Sequence, residues 1–116
     1  MAAAFSSLKA AGKVREFGVS NFRPSQLTML QKYCPMRLLV NQVEISLARI
    51  DCFHDGTLDQ CLAEKITPLA WSPLDGGRLG STAKSMKAAP HSLQSKLLED
   101  LDVIPEAHGV TRTVLA

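Results

Sequence analysis

The hydrophobic residues of the first 72 positions follow two alternating patterns, which predict strands and helices in turn. Short runs rich in β-branched and aromatic residues predict strands at residues 14–19, 38–47 and 67–72. Between them, apolar residues recur every three or four positions, as on the buried face of a helix. The strands start at positions 14, 38 and 67, and one helix fits in each interval. Such alternation predicts parallel βαβ units.

Helix boundaries are marked by proline, glycine and capping residues. A helix over residues 2–11 precedes the first strand and ends before a glycine. The next helix starts at Pro24, whose fixed φ suits the first turn, and ends before Pro35. Asp55 or Thr57 can cap the third helix, because their side-chain oxygens accept hydrogen bonds from free backbone N–H groups.

After residue 72 the pattern changes to turns and one more helix. Residues 75–80 form a glycine-rich turn, and residues 81–90 are small, polar and basic, which is typical of a mobile loop. Leucines at helical spacing predict a helix over residues 93–104, and we expect Pro105 to kink or end it.

The composition is that of a soluble, reduced protein. The net charge is +2 without a basic stripe, which argues against nucleic-acid binding. No apolar run reaches the roughly 18–20 residues of a membrane span, and no secretory signal is evident. Three cysteines without a CxxC spacing favour a reducing compartment, so we predict a cytoplasmic protein. Cys61, on the apolar face of its helix, is predicted to be a buried hydrophobe.

A sheet of three parallel strands needs helices on both faces or closure into a barrel. A (β/α)8 barrel takes about 250 residues, of which this chain would supply less than half. We therefore predict an α/β fold in which residues 1–116 form one partial domain, truncated at both ends. It would contain about three consecutive parallel strands with their helices, and the barrel would not be closed.

Three segments carry a family resemblance. They are GKVREFGVSNF at residues 12–22, NQVEISL at residues 41–47 and LAWSPLDGGRLG at residues 69–80. In this order and at this spacing they resemble the fifth, sixth and seventh strands of aldo-keto reductases, and of bacterial-type reductases in particular. The resemblance implies a partial (β/α)8 TIM barrel from an enzyme that reduces aldehydes or ketones with NADP(H). The small-molecule carbonyl substrate and the cofactor would bind at the carboxyl ends of the strands.

The resemblance also assigns cofactor contacts. Ser20, Asn21 and Gln42 would hydrogen-bond the nicotinamide carboxamide, and Trp71 would stack on the nicotinamide ring. Each residue has a plainer interpretation. Ser20 and Asn21 could form only a turn and helix cap, Gln42 a buried and satisfied amide, and Trp71 part of the core.

The loop after the third strand would lie over the cofactor pyrophosphate. Backbone N–H groups of Ser72, Leu74 and Gly77 could hold phosphate oxygens, and Arg78 is a candidate phosphate partner. The alternative is a glycine turn without a ligand. The segment that holds the adenosine 2′-phosphate in the family lies beyond this one, so the preference for NADP over NAD comes from the resemblance alone.

The family's catalytic Tyr, Lys, Asp and His come from earlier strand–loop units than those represented here, so no catalytic role is assigned. The one tyrosine, Tyr33, is predicted to pack on a helix face, and His54, His91 and His108 fall in loops or helix ends. We expect the chain alone to be inactive and its own binding of the cofactor to be weak.

The loop around Asp51, Cys52, His54 and Asp55 contains metal-ligand types, but their spacing matches no common zinc pattern, so no metal site is predicted.

A second hypothesis is an aldo-keto-reductase-like binding or regulatory subunit without catalysis. The edges at residues 14–19 and 67–72 would be unpaired in an open sheet, so a partner or a second copy could associate there.

Overall fold

A computed structural model describes residues 1–81 and 93–116. These residues form two compact units. The first contains Met1–Glu44 and Asp51–Trp71, and the second contains Ile45–Ile50 and Ser72–Ala116. Apart from Ser81, the polar loop predicted at residues 81–90 lies outside the described residues, as does His91.

The first unit has the predicted strand–helix alternation. In the described part of the chain, three strands form one sheet in the order β1-β2-β3, and both pairings are parallel. β1 and β3 are its edges, so the prediction of an unclosed parallel sheet is confirmed. The elements are α1 (Ala2–Ala10), β1 (Phe17–Ser20), α2 (Pro24–Tyr33), β2 (Leu38–Glu44), α3 (Thr57–Glu64) and β3 (Thr67–Trp71).

The first two strands are shorter than predicted because a strand lasts only while a neighbour pairs with it. β1 starts at Phe17, which pairs with Leu38, rather than at residue 14. β2 ends at Glu44, where its last partner on β3 is Trp71, and it does not continue to residue 47. The hydrophobic pattern continues past both limits, so it could not reveal them.

One face of the sheet packs against helices. A first cluster joins Phe17 and Leu38 to Leu30 and Cys34, with Phe5 stacked on Phe17 at a ring-centroid distance of 4.6 Å. A second cluster consists of Leu27, Cys61 and Ile66, and the partly buried Val19 and Phe22 contact both clusters. These contacts place α1, α2 and α3 on the face of the sheet to which Val19 points.

Side chains alternate between the two faces of a strand, so the neighbours of Val19 point the other way. The parallel register then assigns the partners on β2 and β3 to that same second face. We call it the far face of the sheet. Its residues are Gly18, Ser20, Val40, Gln42, Glu44, Thr67, Leu69 and Trp71.

Gly18 allows β1 to approach β2 closely beside an irregularity in the pairing. A Cβ atom on Gly18 would lie 2.7 Å from the carbonyl oxygen of Val40 and 2.9 Å from its Cβ. Because backbone cannot yield as a flexible side chain does, we expect Gly18→Ala to lower the free energy of unfolding by about 1–3 kcal/mol. Urea unfolding measures the loss. Gly12→Asn is the control, since Gly12 has φ +66° with nothing within 4 Å of its Cβ position, and asparagine tolerates that backbone. Equal midpoints for Gly18→Ala and the wild type would contradict the close approach.

A buried amide holds the chain as it leaves β1. Asn41 on β2 is 1% exposed. Its Nδ2 donates to the Phe22 carbonyl oxygen at 2.9 Å, and its Oδ1 accepts from the Phe22 N–H at 3.3 Å. Asn41 therefore satisfies both backbone groups of a residue that has already left the sheet.

The start of α2 at Pro24 agrees with the prediction, but the environment of Tyr33 does not. Arg23 is the N-cap residue, its N–H donates to Gln26 Oε1 at 3.0 Å, and Pro24 begins the helix. Tyr33 is 69% exposed, so its predicted packing is wrong. The buried face of this segment is centred on Leu27, Leu30 and Cys34. Tyr33 lies about 100° around the helix from Cys34 and points to solvent.

At the start of α3, the Asp55 Oδ1 accepts the Thr57 N–H at 2.9 Å, so Asp55 is the side chain that caps this helix. Hydrogen bonds from Thr57 lower the pKa of the Asp55 carboxyl, because they favour its charged form. The N-cap position itself is Gly56, which has φ 84°.

Cys34, Cys52 and Cys61 are free and buried, which confirms the prediction for Cys61. Burial raises the pKa of the Cys52 and Cys61 thiols, so both stay protonated and unreactive near neutral pH. Among the described residues, no cluster of three or more His, Cys, Asp or Glu side chains could hold a metal ion. Within the same ranges, no helix has the length and apolar character to cross a membrane.

The second unit contains the helices α4 (Leu93–His108) and α5 (Arg112–Leu115). Pro105 was expected to kink or end α4, and it does not end the helix, which continues to His108. Proline removes one backbone hydrogen bond, and the turns on either side remain helical. Ser81 and Thr113 join the loop after β3 to α5, with their two hydroxyl oxygens 2.9 Å apart.

Candidate cofactor-binding site

The end of β1 is held against β2 by two donors on one carbonyl. The Asn21 N–H and the Ser20 hydroxyl donate to the Gln42 carbonyl oxygen at 2.9 and 3.0 Å. Asn21 has φ 53°, a left-handed conformation that asparagine adopts more readily than most residues. The chain therefore turns sharply after Ser20, and both side chains lie at the carboxyl end of the sheet.

The Asn21 side chain connects the ends of all three strands. Its Oδ1 accepts the Trp71 Nε1–H at 3.1 Å and the Glu44 N–H at 3.3 Å. Both partners are pure donors, so the atom between them must be the oxygen of the amide. The Nδ2 group makes no hydrogen bond within residues 1–81 and 93–116, and two N–H donors remain available there.

Gln42 and Trp71 complete this strand-end cluster, which consists of Ser20, Asn21, Gln42 and Trp71. The Gln42 side chain is exposed and makes no hydrogen bond in the described part of the chain. The alternative interpretation of Gln42 as a buried, satisfied amide is therefore wrong. Trp71 is half-buried and belongs to neither apolar cluster of the first unit.

The loop after β3 turns through several left-handed residues. Ser72 and Asp75 have φ 54° and 49°, and Gly76 and Gly77 have φ 63° and 91°. A short 3-10 turn spans Asp75–Gly77. The Asp75 N–H donates to the Ser72 carbonyl and the Gly76 N–H to the Ser72 hydroxyl, both at 2.8 Å.

The candidate phosphate donors of this loop differ in availability. The N–H groups of Ser72 and Leu74 make no hydrogen bond within the described ranges. By contrast, the Gly77 N–H donates to the Leu74 carbonyl at 2.9 Å. Two of the three predicted backbone donors can therefore receive an oxygen ligand directly, and the third would first have to leave its internal partner.

Arg78 already has an anionic partner. Its Nη2 lies 2.5 Å from Oδ1 of Asp75, a carboxylate that is 3% exposed. The other oxygen of that carboxylate, Oδ2, is buried and has no hydrogen-bond partner among the described residues. Asp75 therefore offsets the positive charge of Arg78 in a loop that was predicted to hold phosphates.

Sequence comparison identifies the family. A family model described as "Aldo/keto reductase family" matches residues 1–116. The chain belongs to the aldo/keto reductase family. The resemblance of its three strand segments to aldo-keto reductases is thereby confirmed.

Curated members of the family extend well beyond this segment. The 6-dehydroglucose reductase of Novosphingobium aromaticivorans is 46% identical over 107 residues, which make up 91% of this chain and 33% of that protein. The oxidoreductase YdhF of Escherichia coli strain K12 is 52% identical over 79 residues, or 68% of this chain and 26% of that protein. The chain spans about a third or less of the length of these relatives.

Solved aldo-keto reductase structures share the fold. The thermostable aldo-keto reductase Tm1743, solved in complex with the inhibitor epalrestat, matches with a TM-score of 0.72 at 26% identity, covering 97% of this chain and 36% of that chain. The glycerol dehydrogenase AKR11B4 from Gluconobacter oxydans matches with the same score at 21% identity, covering 96% of this chain and 38% of that one. The sheet and its helices are therefore a partial (β/α)8 barrel.

Sequence reasoning named the residues of the strand-end cluster but missed the role of Asn41 and the pairing of Arg78 with Asp75. Asn41 stands in the motif NQVEISL, where an amide among apolar residues was the available signal for a buried hydrogen-bonding role. The pair of Asp75 and Arg78 was also missed, although opposite charges three residues apart in a turn are a recognisable pattern.

Proposed function

We propose that this chain supplies the nicotinamide-contacting strand ends of an NAD(P)H-dependent reductase of aldehydes or ketones. One observation carries the proposal: Ser20, Asn21 and Trp71 lie together in one hydrogen-bonded cluster. In the sequence these residues are up to 51 positions apart. This cluster lies at the carboxyl ends of parallel strands, where (β/α)8 barrels bind their ligands. When bound, a reduced nicotinamide supplies the hydride.

The groups left available in the strand-end cluster suit a carboxamide. The Asn21 Nδ2 can donate to its oxygen, because the Asn21 Oδ1 is already occupied by two donors. The Ser20 hydroxyl uses its proton on the Gln42 carbonyl, so its lone pairs can accept from the carboxamide NH2. Gln42 offers both a donor and an acceptor. A ligand with one carbonyl oxygen and one NH2 group matches this set.

Trp71 supports the proposal through its ring. An indole that is half-buried and held by its N–H offers a fixed aromatic surface, and such surfaces stack on planar heterocycles. In the loop that follows Trp71, the N–H groups of Ser72 and Leu74 have no hydrogen-bond partner in the described part of the chain, and such groups suit phosphate oxygens. The pairing of Arg78 with Asp75 makes Arg78 a weaker phosphate partner than its charge suggests.

Fluorescence titration tests the proposal, because Trp71 is the only tryptophan. We expect NADPH to quench the Trp71 emission saturably, with energy transfer to the reduced nicotinamide. We expect Gln42→Leu to weaken NADPH binding by up to about tenfold, which corresponds to a hydrogen bond of about 1–1.4 kcal/mol.

Two controls separate a specific site from general quenching. Thr67→Val changes a far-face residue at the opposite end of β3 and is expected to leave the affinity for NADPH unchanged. ADP-ribose lacks the nicotinamide and should cause no energy transfer. Quenching that never saturates, or that is equal in wild type and Gln42→Leu, would contradict the proposal.

We expect the 116-residue chain alone to give no NADPH-dependent reduction of a generic aldehyde. Its one tyrosine, Tyr33, lies in the last turn of α2, whereas the proposed cofactor contacts follow the strand ends. A general acid must lie within hydrogen-bond reach of the reacting oxygen.

A further inference from the structure

We infer that Asn21 is a positioning residue that fixes the indole of Trp71, in addition to any contact of its own with a ligand. The effect of this positioning on cofactor binding rests on the proposed function, since the Trp71 ring is the surface on which the nicotinamide would stack. The hydrogen bond itself is a property of the chain without ligand, so it can be tested separately.

The Asn21 side chain has few alternatives to this arrangement. Its backbone is fixed by the N–H bond to the Gln42 carbonyl at 2.9 Å and by the turn at φ 53°. Its Oδ1 is shared by the Trp71 Nε1–H and the Glu44 N–H. The second donor is a main-chain N–H of β2. The acceptor oxygen is therefore held in place by the backbone of the sheet rather than by a mobile side chain.

The indole of Trp71 depends on this acceptor for its orientation. Trp71 is the last residue of β3, an edge strand whose other four residues are all exposed. Among the described residues, Trp71 lies outside both apolar clusters of the first unit, so these clusters do not hold the ring. The indole N–H has a single protein acceptor among the described residues, and it is Asn21 Oδ1. Removing that oxygen should leave the ring free to change rotamer.

Two substitutions at position 21 separate the acceptor from the backbone conformation. Aspartate and glycine both tolerate φ near +53°, so neither should strain the turn. Asn21→Asp keeps an oxygen for the Trp71 N–H and loses the Nδ2 donor. Asn21→Gly removes both. The wild type and Asn21→Asp should therefore share one indole environment, and Asn21→Gly should differ.

Fluorescence of the ligand-free chain is the first measurement. We expect Asn21→Gly to shift the Trp71 emission to the red and to lower its anisotropy, and Asn21→Asp to leave both close to the wild-type values. Identical spectra for all three chains, or an equal change in both variants, would overturn the inference.

Hydrogen exchange of the indole N–H provides a test that needs no variant. Because Trp71 is the only tryptophan, its indole N–H gives a single assignable resonance. We expect exchange about fivefold slower than in free N-acetyltryptophanamide, the factor that corresponds to a net hydrogen bond of about 1 kcal/mol. Exchange as fast as in that small amide overturns the inference even if Asn21→Gly does not fold.

NADPH titration of the same chains separates this inference from the proposed function. Slow indole exchange together with unsaturable quenching by NADPH would support the role of Asn21 and contradict the cofactor site. If both hold, Asn21→Asp and Asn21→Gly should each bind NADPH more weakly than the wild type. Only Asn21→Gly should also lower the energy transfer at saturation, because only there is the ring misplaced.

Discussion

Replacing Leu27 with alanine is expected to lower the free energy of unfolding by about 2–5 kcal/mol. Leu27 is fully buried, at 0% exposure, where α2 meets Cys61 of α3 and Ile66. The truncation removes apolar contacts and leaves a cavity, because rigid neighbours fill such a space only in part. A loss of this size is a large fraction of the roughly 5–15 kcal/mol that stabilises an ordinary domain.

Urea unfolding followed by circular dichroism measures this effect as a shift of the midpoint at constant slope. Met29→Ala is the matched control on the same helix, since Met29 is 61% exposed and its truncation should change stability by no more than about 0.5 kcal/mol. If both variants unfold at the wild-type midpoint, Leu27 is not in the core described above.

Replacing Asn41 with leucine is expected to lower the free energy of unfolding by about 2–4 kcal/mol. Two buried backbone groups lose their hydrogen bonds, at a cost of about 1–3 kcal/mol each, and the added apolar burial offsets part of this cost. The substitution keeps the branched skeleton of the side chain but leaves the Phe22 N–H and carbonyl without their partners at 3.3 and 2.9 Å. Water cannot easily replace them, because Asn41 is only 1% exposed.

Gln42→Leu makes the same chemical change one residue later and serves as the control. Gln42 is exposed, and its side chain makes no hydrogen bond in the described part of the chain, so its loss should leave the urea midpoint almost unchanged. A smaller loss of stability for Asn41→Leu than for Gln42→Leu would refute the buried-amide interpretation. The two variants also separate stability, which depends on position 41, from the proposed cofactor affinity, which depends on position 42.

Periodicity along the chain was sufficient to predict the order and parallel direction of the strands. It could not predict where β1 starts or where β2 ends, because these limits depend on where the neighbouring strand stops pairing. It also mispredicted the packing of Tyr33. For Pro105 it left a kink or an end open, and the continuation of α4 to His108 excludes the end. The spacing of apolar residues does not specify whether a tyrosine at the margin of the apolar stripe faces the core or the solvent. A proline inside a helix removes one hydrogen bond, and the surrounding turns can accommodate that loss.

The candidate site was predictable to the level of residues but not of hydrogen bonds. Motifs at the strand ends singled out Ser20, Asn21 and Trp71, whereas the bond between Asn21 and Trp71 joins positions 50 residues apart. Only the folded sheet brings these two side chains together. The partnership of Asp75 with Arg78 is local, and it changes the expected role of Arg78 as a phosphate ligand.

In the first unit, the residue that fastens the backbone after β1 is separate from the residues that would face a ligand, and protein engineers can use this separation. Asn41 fastens the segment after β1 from the helix-packed side, whereas Ser20 and Gln42 point to the far face. Libraries that randomise Ser20 and Gln42 while retaining Asn41 should therefore preserve the fold in most members. Selection could then act on ligand preference with little interference from misfolded variants.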